Sequence, residues 1–234
     1  MKEFKIGIVV ADTDEYKPLA DIVEKGEFEV YPFLGRTAHK FKIASENASA
    51  EVISILCGIG KVNAAAAAMH LADIGCDYIL NYGLSGGISG ISKNELCFCD
   101  RFLEHDFDLT GLGYKPCEKP SQKYVYTVSD ELFEIVNRVI SPLKKGTAVT
   151  GDRFICDAAV RDYFKNEFSA MSCDMETAAI AYVADSANIP FISVRRISDD
   201  AGEDASDSYV LMNTSNETFL CEYVLDVIKE LIKQ

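Results

Sequence analysis

Hydrophobic and polar positions divide the chain into short apolar runs and longer amphipathic runs that alternate along its length. The short runs are rich in β-branched residues, as in FKIGIVVA, whereas the longer ones repeat their apolar positions with helical spacing. This alternation predicts a mixed sheet with helices packed on it. The predicted strands are FKIGIVVA, FEVYPFL, FKIAS, AEVISILC, DYILNYGL, an extended region at about 95–107, TAVTG, SAMSCDM and PFISVRRIS. The predicted helices cover about 15–24, 131–139, 158–164 and 177–186, and two more begin near 61 and 217.

One long connection interrupts this pattern. Residues 110–123 are rich in glycine, proline and lysine and predict a mobile or intersubunit loop. Neither a linker, a repeat nor a break in composition divides the remaining sequence, so we expect a single domain over residues 1–234.

Composition and charge narrow the possible partners. Of the 234 residues, 48% are hydrophobic, which is enough for a substantial core. The formal net charge of -14 argues against nucleic acid or an anionic membrane surface as a partner. The alanine-rich stretch at 64–72 is too short to span a membrane, and the N-terminus lacks a signal-peptide cleavage site. We therefore expect a cytoplasmic protein.

The eight cysteines do not form a metal or disulfide pattern. They lie mostly in apolar runs such as SILCGIG, no CxxC pair occurs, and only three histidines are present. Cysteines in such surroundings are typical of buried small hydrophobic residues in a reducing compartment. We expect no metal site.

Two turns and one helix start follow apolar strands, where open α/β sheets bind their ligands. Glu15 follows FKIGIVVA, although capping of the next helix by Asp12 or Asp14 explains the same pattern. CGIGKVNAAAA and NYGLSGGI are glycine-rich turns that could approach a ligand closely. Neither matches a dinucleotide fingerprint or a P-loop, and a tight turn without a ligand accounts equally well for the second.

Two further acids stand at strand ends. Glu176 lies between an apolar strand and an alanine-rich helix, and Asp199 closes the strand FISVRRIS. Burying carboxylates costs desolvation free energy, which proteins accept mainly where a ligand or a catalytic step uses the charge. Helix capping is an equally good explanation from the residues alone.

Read in order, seven segments resemble the purine nucleosidase and phosphorylase superfamily, and most closely its methylthioadenosine/S-adenosylhomocysteine nucleosidase branch. They are ADTDEYKPL, CGIGKVNAAAA, NYGLSGGI, EHDFDLTGLGY, TGDRFI, CDMETAAIAYV and VRRISDDAG. The resemblance implies a three-layer α/β/α sandwich around a mixed, partly barrel-like sheet. It also implies a homodimer that needs no metal or organic cofactor, a small-molecule purine nucleoside as the ligand and a role in methionine salvage.

The same resemblance assigns roles to individual residues. Glu15 would activate the attacking water, and Asp199 would be the acid near purine N7. The other residues implied to bind the substrate are Glu176 at the ribose hydroxyls, Met175 beneath the sugar, Phe154 against the base, the backbone of Ile155 at the base edge, the glycine-turn residues Leu84, Ser85 and Gly86, and, around the 5′ substituent, Ile59 with Leu112 and Tyr114 of the partner subunit.

The chemistry of these residue types fits glycosidic bond cleavage. A purine leaves more readily when a protonated Asp199 donates at N7, and an anionic Glu176 stabilises the positive charge that develops on the sugar. Glu15 as general base compensates for the weak nucleophilicity of water. We therefore expect hydrolysis of an adenine nucleoside such as methylthioadenosine or S-adenosylhomocysteine.

Two alternatives remain open at this stage. Phosphorylase relatives use arginines to bind phosphate, but the turn after the first strand is acidic here. A nucleoside-binding protein without turnover is the second alternative, and retention of all three acids argues against it. Asp12, Leu84 and Arg196 depart from the branch pattern and affect the expected substrate preference.

Overall fold

The structure is a computed structural model that describes residues 2–213 and 217–234. Within these residues the chain forms ten strands, seven α-helices and one 3-10 turn at Thr110–Leu112. The strands are β1 (Lys2–Val10), β2 (Phe28–Phe33), β3 (Arg36–Ala44), β4 (Ala48–Leu56), β5 (Tyr78–Gly87), β6 (Leu96–Glu104), β7 (Tyr126–Thr127), β8 (Lys144–Thr150), β9 (Ala170–Asp174) and β10 (Phe191–Asp199). The helices are α1 (Thr13–Val23), α2 (Lys61–Asp73), α3 (Asp130–Val139), α4 (Ala158–Phe168), α5 (Thr177–Ala187), α6 (Ala205–Asn213) and α7 (Glu217–Leu231).

Two of these elements are absent from the sequence prediction. Helix α6 begins within the acidic segment SDDAGEDASD, whose glycine and aspartates are typical of a loop. Strand β7 has only two residues and pairs with β6 at the edge of the sheet. The predicted strands FKIAS and TAVTG are longer in the structure, since β3 begins at Arg36 and β8 at Lys144.

The strands form one mixed sheet that closes on itself at one end. Strands β10, β6, β8, β9 and β5 follow each other in hydrogen-bonded order, and β5 also pairs with β10, which completes a five-stranded ring. From β5 the sheet continues as an open extension through β1, β4, β3 and β2. Parallel and antiparallel pairs both occur. The predicted mixed, partly barrel-like sheet is confirmed.

Helices cover both faces of the sheet. In β1 the side chains of Ile6, Ile8 and Val10 pack in one core cluster with residues of α1, α3 and α7. Val9, which points to the opposite face, packs in a second cluster with residues of α2 and α5. This alternation is the two-residue period of a strand that is buried on both sides. The result is the three-layer α/β/α arrangement expected from the sequence.

The structure also shows the state of the cysteines and the character of the helices. All eight cysteines are free, and seven of them are buried while Cys156 is exposed. No group of three or more His, Cys, Asp or Glu residues in the described part of the chain is arranged to hold a metal ion. Among the helices that the structure describes, none combines the length and apolar character of a membrane span.

Candidate active site

A cavity of about 310 Å³ opens where several strands end, and its size falls within the range of small-molecule sites. Chain segments that follow the carboxyl ends of β1, β4, β8, β9 and β10 reach this cavity. The last residues of β5 also line it. The lining residues are Ala11, Asp12, Glu15, Ile59, Leu84, Ser85, Gly86, Arg153, Phe154, Ile155, Cys173, Asp174, Met175, Glu176, Ser198, Asp199 and Tyr209.

Glu15 reaches the cavity from the first turn of α1. Asp12 caps this helix by accepting the Asp14 N–H at 2.7 Å, so the capping role belongs to Asp12 and leaves Glu15 available. The Glu15 Oε1 atom accepts the backbone N–H of Leu84 at 2.8 Å, and the Tyr82 hydroxyl donates to the Glu15 carbonyl at 3.3 Å. Burial raises the pKa of Glu15 to about 8, while the nearby Arg195 guanidinium opposes this shift.

Glu176 stands at the junction of β9 and α5. It occupies the N-cap position of α5, but its side chain makes no capping bond. Asp174 caps the helix instead, since its Oδ1 accepts the N–H groups of Glu176 at 3.0 Å and Thr177 at 2.9 Å. The Glu176 Oε1 atom accepts the N–H of Gly60 at 2.9 Å. Burial raises the pKa of Glu176 to about 7, against the opposing effect of Arg195.

Arg195 on β10 is a buried cation behind these acids, and the sequence analysis did not identify it. Its Nη2 lies 3.5 Å from Asp174 Oδ2 and 3.7 Å from Glu176 Oε2, and it donates to the Thr177 hydroxyl at 2.6 Å. An arginine inside an otherwise apolar strand needs buried carboxylate partners. That requirement was the available sequence signal for a charged network at this strand end.

Gly83 on β5 allows Arg195 and Glu15 to approach the same point of the strand. A Cβ atom at this position would lie 2.5 Å from Arg195 Nη1 and 2.7 Å from Glu15 Oε2. A Cβ atom could be placed here only if both side-chain ends moved away, so glycine lets them lie close to the strand.

Asp199 closes β10 on another wall of the cavity. Its Oδ2 accepts the Ser198 hydroxyl at 2.6 Å, and its Oδ1 accepts the Ala201 N–H at 2.8 Å. Burial raises the pKa of Asp199, and these two hydrogen bonds oppose the rise. A carboxyl group in this state holds its proton more readily than one in water and can act as an acid.

An aromatic and backbone surface completes the cavity beside Asp199. Phe154 is partly exposed and meets Tyr209 edge to face, with 5.7 Å between ring centroids. Ile155 is buried, and neither its N–H nor its carbonyl has a hydrogen-bond partner among the described residues. Met175, which stands between Asp174 and Glu176 in the chain, is half-buried and also lines the cavity. Unpaired backbone groups next to an aromatic ring suit recognition of the edge and face of a planar base.

The structure does not bring every predicted residue to the cavity. Leu112 and Tyr114 lie on the loop after β6, with 74% and 39% of their surface exposed, and do not line the cavity of their own chain. Their predicted contact with the site of a partner subunit remains a prediction. Arg196 is half-buried and donates to the Asn94 side chain at 3.3 Å, away from the cavity. We therefore do not expect this departure from the family pattern to influence the substrate directly.

A family model described as the Phosphorylase superfamily matches residues 5–229. A 5'-methylthioadenosine/S-adenosylhomocysteine nucleosidase from Geobacillus sp. (strain WCH70) is 30% identical over 237 residues, which cover 98% of this chain and 100% of the relative. The homology therefore extends over the whole fold and includes every segment that lines the cavity.

Solved structures agree with this result. A 5'-methylthioadenosine/S-adenosylhomocysteine nucleosidase from Streptococcus pneumoniae with a transition-state inhibitor has a TM-score of 0.86 at 28% identity, covering 97% of this chain and 99% of that one. A Helicobacter pylori nucleosidase mutant with 5'-methylthioadenosine in its active site has a TM-score of 0.89 at 24% identity, covering 97% and 99% of the two chains. The second comparison supports the fold alone.

Proposed function

The chain belongs to the Phosphorylase superfamily and, within it, to the 5'-methylthioadenosine/S-adenosylhomocysteine nucleosidases, and we propose on this basis how its cavity works. The protein is an N-glycosyl hydrolase that releases adenine from a 5′-substituted adenine nucleoside.

One observation carries the proposal. Glu15, Glu176 and Asp199 come from three different elements, yet all three line the same cavity and are only 4%, 6% and 3% exposed. Burial raises the pKa of each. Buried acids with perturbed pKa values, gathered in one cavity of suitable size, are typical of a catalytic site.

Glu15 acts as the general base. In its carboxylate form it accepts a proton from water as the water oxygen forms a bond to C1′ of the ribose. The Leu84 N–H and the Arg195 guanidinium favour this ionised form, although burial opposes it. A base whose pKa lies close to the working pH combines adequate ionisation with a strong affinity for the proton.

Asp199 acts as the general acid. As the bond between C1′ and N9 breaks, its electron pair moves onto the purine and the Asp199 proton passes to N7. Adenine then leaves as a neutral molecule, and Phe154 and the free backbone groups of Ile155 hold it in place. The net change is addition of water across the glycosidic bond, and solvent restores the protonation states of both acids.

Glu176 acts on the sugar between these two groups. As the ribose becomes oxocarbenium-like, a carboxylate beside its hydroxyls stabilises the developing positive charge more than it stabilises the neutral substrate. The Gly60 N–H and Arg195 hold this carboxylate in place from two sides. Arg195 is therefore a positioning residue, since it acts through the carboxylate of Glu176.

The charge of the cavity favours water over phosphate as the nucleophile. Its described lining contains five carboxyl side chains, at positions 12, 15, 174, 176 and 199, and a single cation, Arg153. Arg195 lies behind the wall and already pairs with Asp174 and Glu176. The excess of carboxyl groups leaves a phosphate dianion with little net positive charge to bind.

Assembly and location belong to the same proposal. We infer a homodimer in which Leu112 and Tyr114 close the partner's cavity, supported by the exposure of both apolar side chains on one loop. We infer a cytoplasmic location, supported by the eight free cysteines.

The three-acid proposal can be tested by substituting each acid with its amide. We expect Glu15→Gln and Asp199→Asn to lower the rate of adenine release from methylthioadenosine by about 10²- to 10⁴-fold, as loss of general acid–base catalysis usually does. Glu176→Gln is expected to lower kcat with a smaller change in KM, because its charge acts mainly in the transition state.

Glu27→Gln is the matched control, because Glu27 is exposed and remote from the cavity. Its rate should equal that of the wild type. If the three amide variants retain wild-type rates, the roles proposed for these acids are wrong; if the wild type binds nucleosides but releases no base, the hydrolase assignment is wrong.

A further inference from the structure

Two side chains of opposite charge line the cavity without taking part in the steps described above. Asp12 stands between β1 and α1, and Arg153 lies in the segment between β8 and α4. Asp12 is half-buried and Arg153 is exposed, whereas the three catalytic acids are buried. Because Asp12 and Arg153 are more exposed than the three acids, they lie nearer the mouth of the cavity.

The contacts of neighbouring residues locate Arg153 on the rim. Asp152 accepts the N–H of Lys61 at 2.8 Å, which holds the segment containing Arg153 against the start of α2. Ile59 immediately precedes this helix start and is 51% exposed on the same cavity. The mouth thus combines an apolar surface at Ile59 with a cation at Arg153 and an anion at Asp12.

Both charged groups retain capacity to bind a ligand. Asp12 Oδ1 accepts the Asp14 N–H at 2.7 Å and the Asn213 side-chain amide at 3.5 Å, whereas Oδ2 has no partner among the described residues. The Arg153 guanidinium likewise has no ion pair or hydrogen bond with the described part of the chain. Other arginines of this acidic protein, such as Arg138 and Arg161, do form ion pairs.

We propose that Asp12 and Arg153 recognise the ammonium and carboxylate groups of an α-amino acid attached to the 5′ sulfur of the nucleoside. This inference rests on the proposed function, because it requires the nucleoside to be seated with its base at Asp199 and its sugar at Glu15 and Glu176. The 5′ substituent then extends toward the mouth, where its methylene groups lie against Ile59.

The charges match the two groups that the terminal α-carbon of such a substituent carries. Guanidinium binds carboxylate through paired hydrogen bonds, and a free aspartate oxygen accepts a hydrogen bond from an ammonium group. A methylthio group has no charge and gains nothing from either residue. Asp12 and Arg153 are therefore specificity-determining residues that favour S-adenosylhomocysteine over methylthioadenosine.

Four nucleosides separate the two contacts. They are S-adenosylhomocysteine, methylthioadenosine and two 5′-thioethers of matching length, one ending in an amine only and one ending in a carboxylate only. We expect Arg153→Gln to lower kcat/KM for the two carboxylate-bearing nucleosides by about three- to tenfold relative to methylthioadenosine, mainly through KM. Asp12→Asn should have the corresponding effect on the two amine-bearing nucleosides.

The substitutions are chosen to preserve the fold. Asparagine is as good an N-cap as aspartate, so Asp12→Asn keeps the start of α1 and removes only the charge. Arg101→Gln and Asp73→Asn are matched controls, because they change the net charge equally at exposed positions outside the cavity. Added salt should weaken the preference for S-adenosylhomocysteine in the wild type and leave the methylthioadenosine rate nearly constant.

The possible outcomes are distinct. Selective losses that follow the charged group on each nucleoside support the inference. If either substitution changes kcat/KM equally for all four nucleosides, or if the control variants reproduce the selective losses, the inference is wrong while the hydrolase function stands. If the wild type releases adenine from none of the four, the proposed function fails and the inference fails with it.

Discussion

At the scale of single residues, Glu15 shows how the site departs from what is best for stability. Its carboxyl group is buried, so ionisation is disfavoured, yet it must lose its proton before it can accept one from water. Glu176 lies in the same environment and interacts with the same arginine. The charge of Glu176 adds to the rise in the pKa of Glu15.

The rate of hydrolysis should consequently depend on pH well above the usual range of a carboxylate. Because Glu15 must be ionised while Asp199 keeps its proton, kcat/KM should pass through a maximum, and one limb of the profile should lie near pH 8, the value to which the pKa of Glu15 is raised. A profile measured from pH 5 to pH 9 at constant ionic strength tests this expectation. A profile with neither limb between pH 7 and pH 9 would mean that Glu15 has an ordinary pKa or is not the base.

Stability should also change with pH. The folded state raises the pKa of Glu15 from 4.5 to about 8, so this group's contribution to the free energy of unfolding is fully present below 4.5 and lost as pH rises through 8. Glu15→Gln removes this loss. We expect the variant to exceed the wild type in free energy of unfolding by about 1–3 kcal/mol at pH 8.5, and by much less at pH 5.

Thermal melting at the two pH values measures this difference, since about 1 kcal/mol corresponds to roughly 2–4 °C in a chain of this size. The more stable variant should also be the less active one. A Glu15→Gln variant that is less stable than the wild type at pH 8.5 would show that the contact with Arg195 outweighs desolvation.

The sequence predicts those site residues whose role can be inferred from neighbouring positions in the chain. Glu15, Glu176 and Asp199 follow apolar strands, and the quoted motifs assign each of them a role. Arg195 was not predicted, because its function depends on partners from β9 and α5 that meet it only in the folded chain. Likewise, the sequence leaves helix capping by Glu176 open, and only the folded chain shows that Asp174 caps α5.

At the scale of secondary structure, β5 helps to position the site because one of its residues, Gly83, has no side chain. The missing side chain of Gly83 is the reason that Glu15 and Arg195 both approach the strand closely. In Gly83→Ala the new Cβ would displace both groups, and a displacement of about 1 Å can cost about a hundredfold in rate. We expect kcat to fall by that order while the fold persists.

Gly26→Ala is the control for this substitution, since its Cβ would meet only Val23 O, at an ordinary 3.6 Å. Circular dichroism establishes that both variants are folded, and adenine release gives the rates. Wild-type kcat in Gly83→Ala would show that close approach at this position is not required for catalysis.

The elements themselves differ in how far the sequence determines them. Strands such as β1 and β4 are predicted because apolar β-branched runs are a local signal, and their ends deviate by only a few residues. Helix α6 was missed because its acidic, glycine-containing approach resembles a loop. This helix carries Tyr209, so a lining residue of the cavity was missed with it.

At the scale of the whole molecule, closure of the sheet brings the site residues together. The ring forms because β5 pairs with β9 and also with β10, and the pairing with β10 joins segments more than a hundred residues apart in the chain. Pairings at such separation leave no local pattern, so the barrel-like part was expected from the family resemblance alone. All ten described strands belong to this one sheet, which supports our proposal of a single domain.

Dimerisation is the other property of the whole molecule that affects the site. If the partner's loop closes the cavity, Tyr114→Ala should raise KM for methylthioadenosine severalfold with little change in kcat, because it removes uniform binding of the 5′ end. Val30→Ala, an exposed residue on the edge strand β2, is the control. An unchanged KM in a Tyr114→Ala variant that is still a dimer would rule out this contribution.

Product analysis of the wild-type reaction tests the central claim most directly. Purified protein is incubated with methylthioadenosine, with and without inorganic phosphate, and the products are identified and quantified by mass spectrometry. We predict adenine and free methylthioribose in equal amounts, formed at the same rate under both conditions. Absence of adenine, or formation of a sugar 1-phosphate only when phosphate is present, would contradict hydrolysis by water at these three acids.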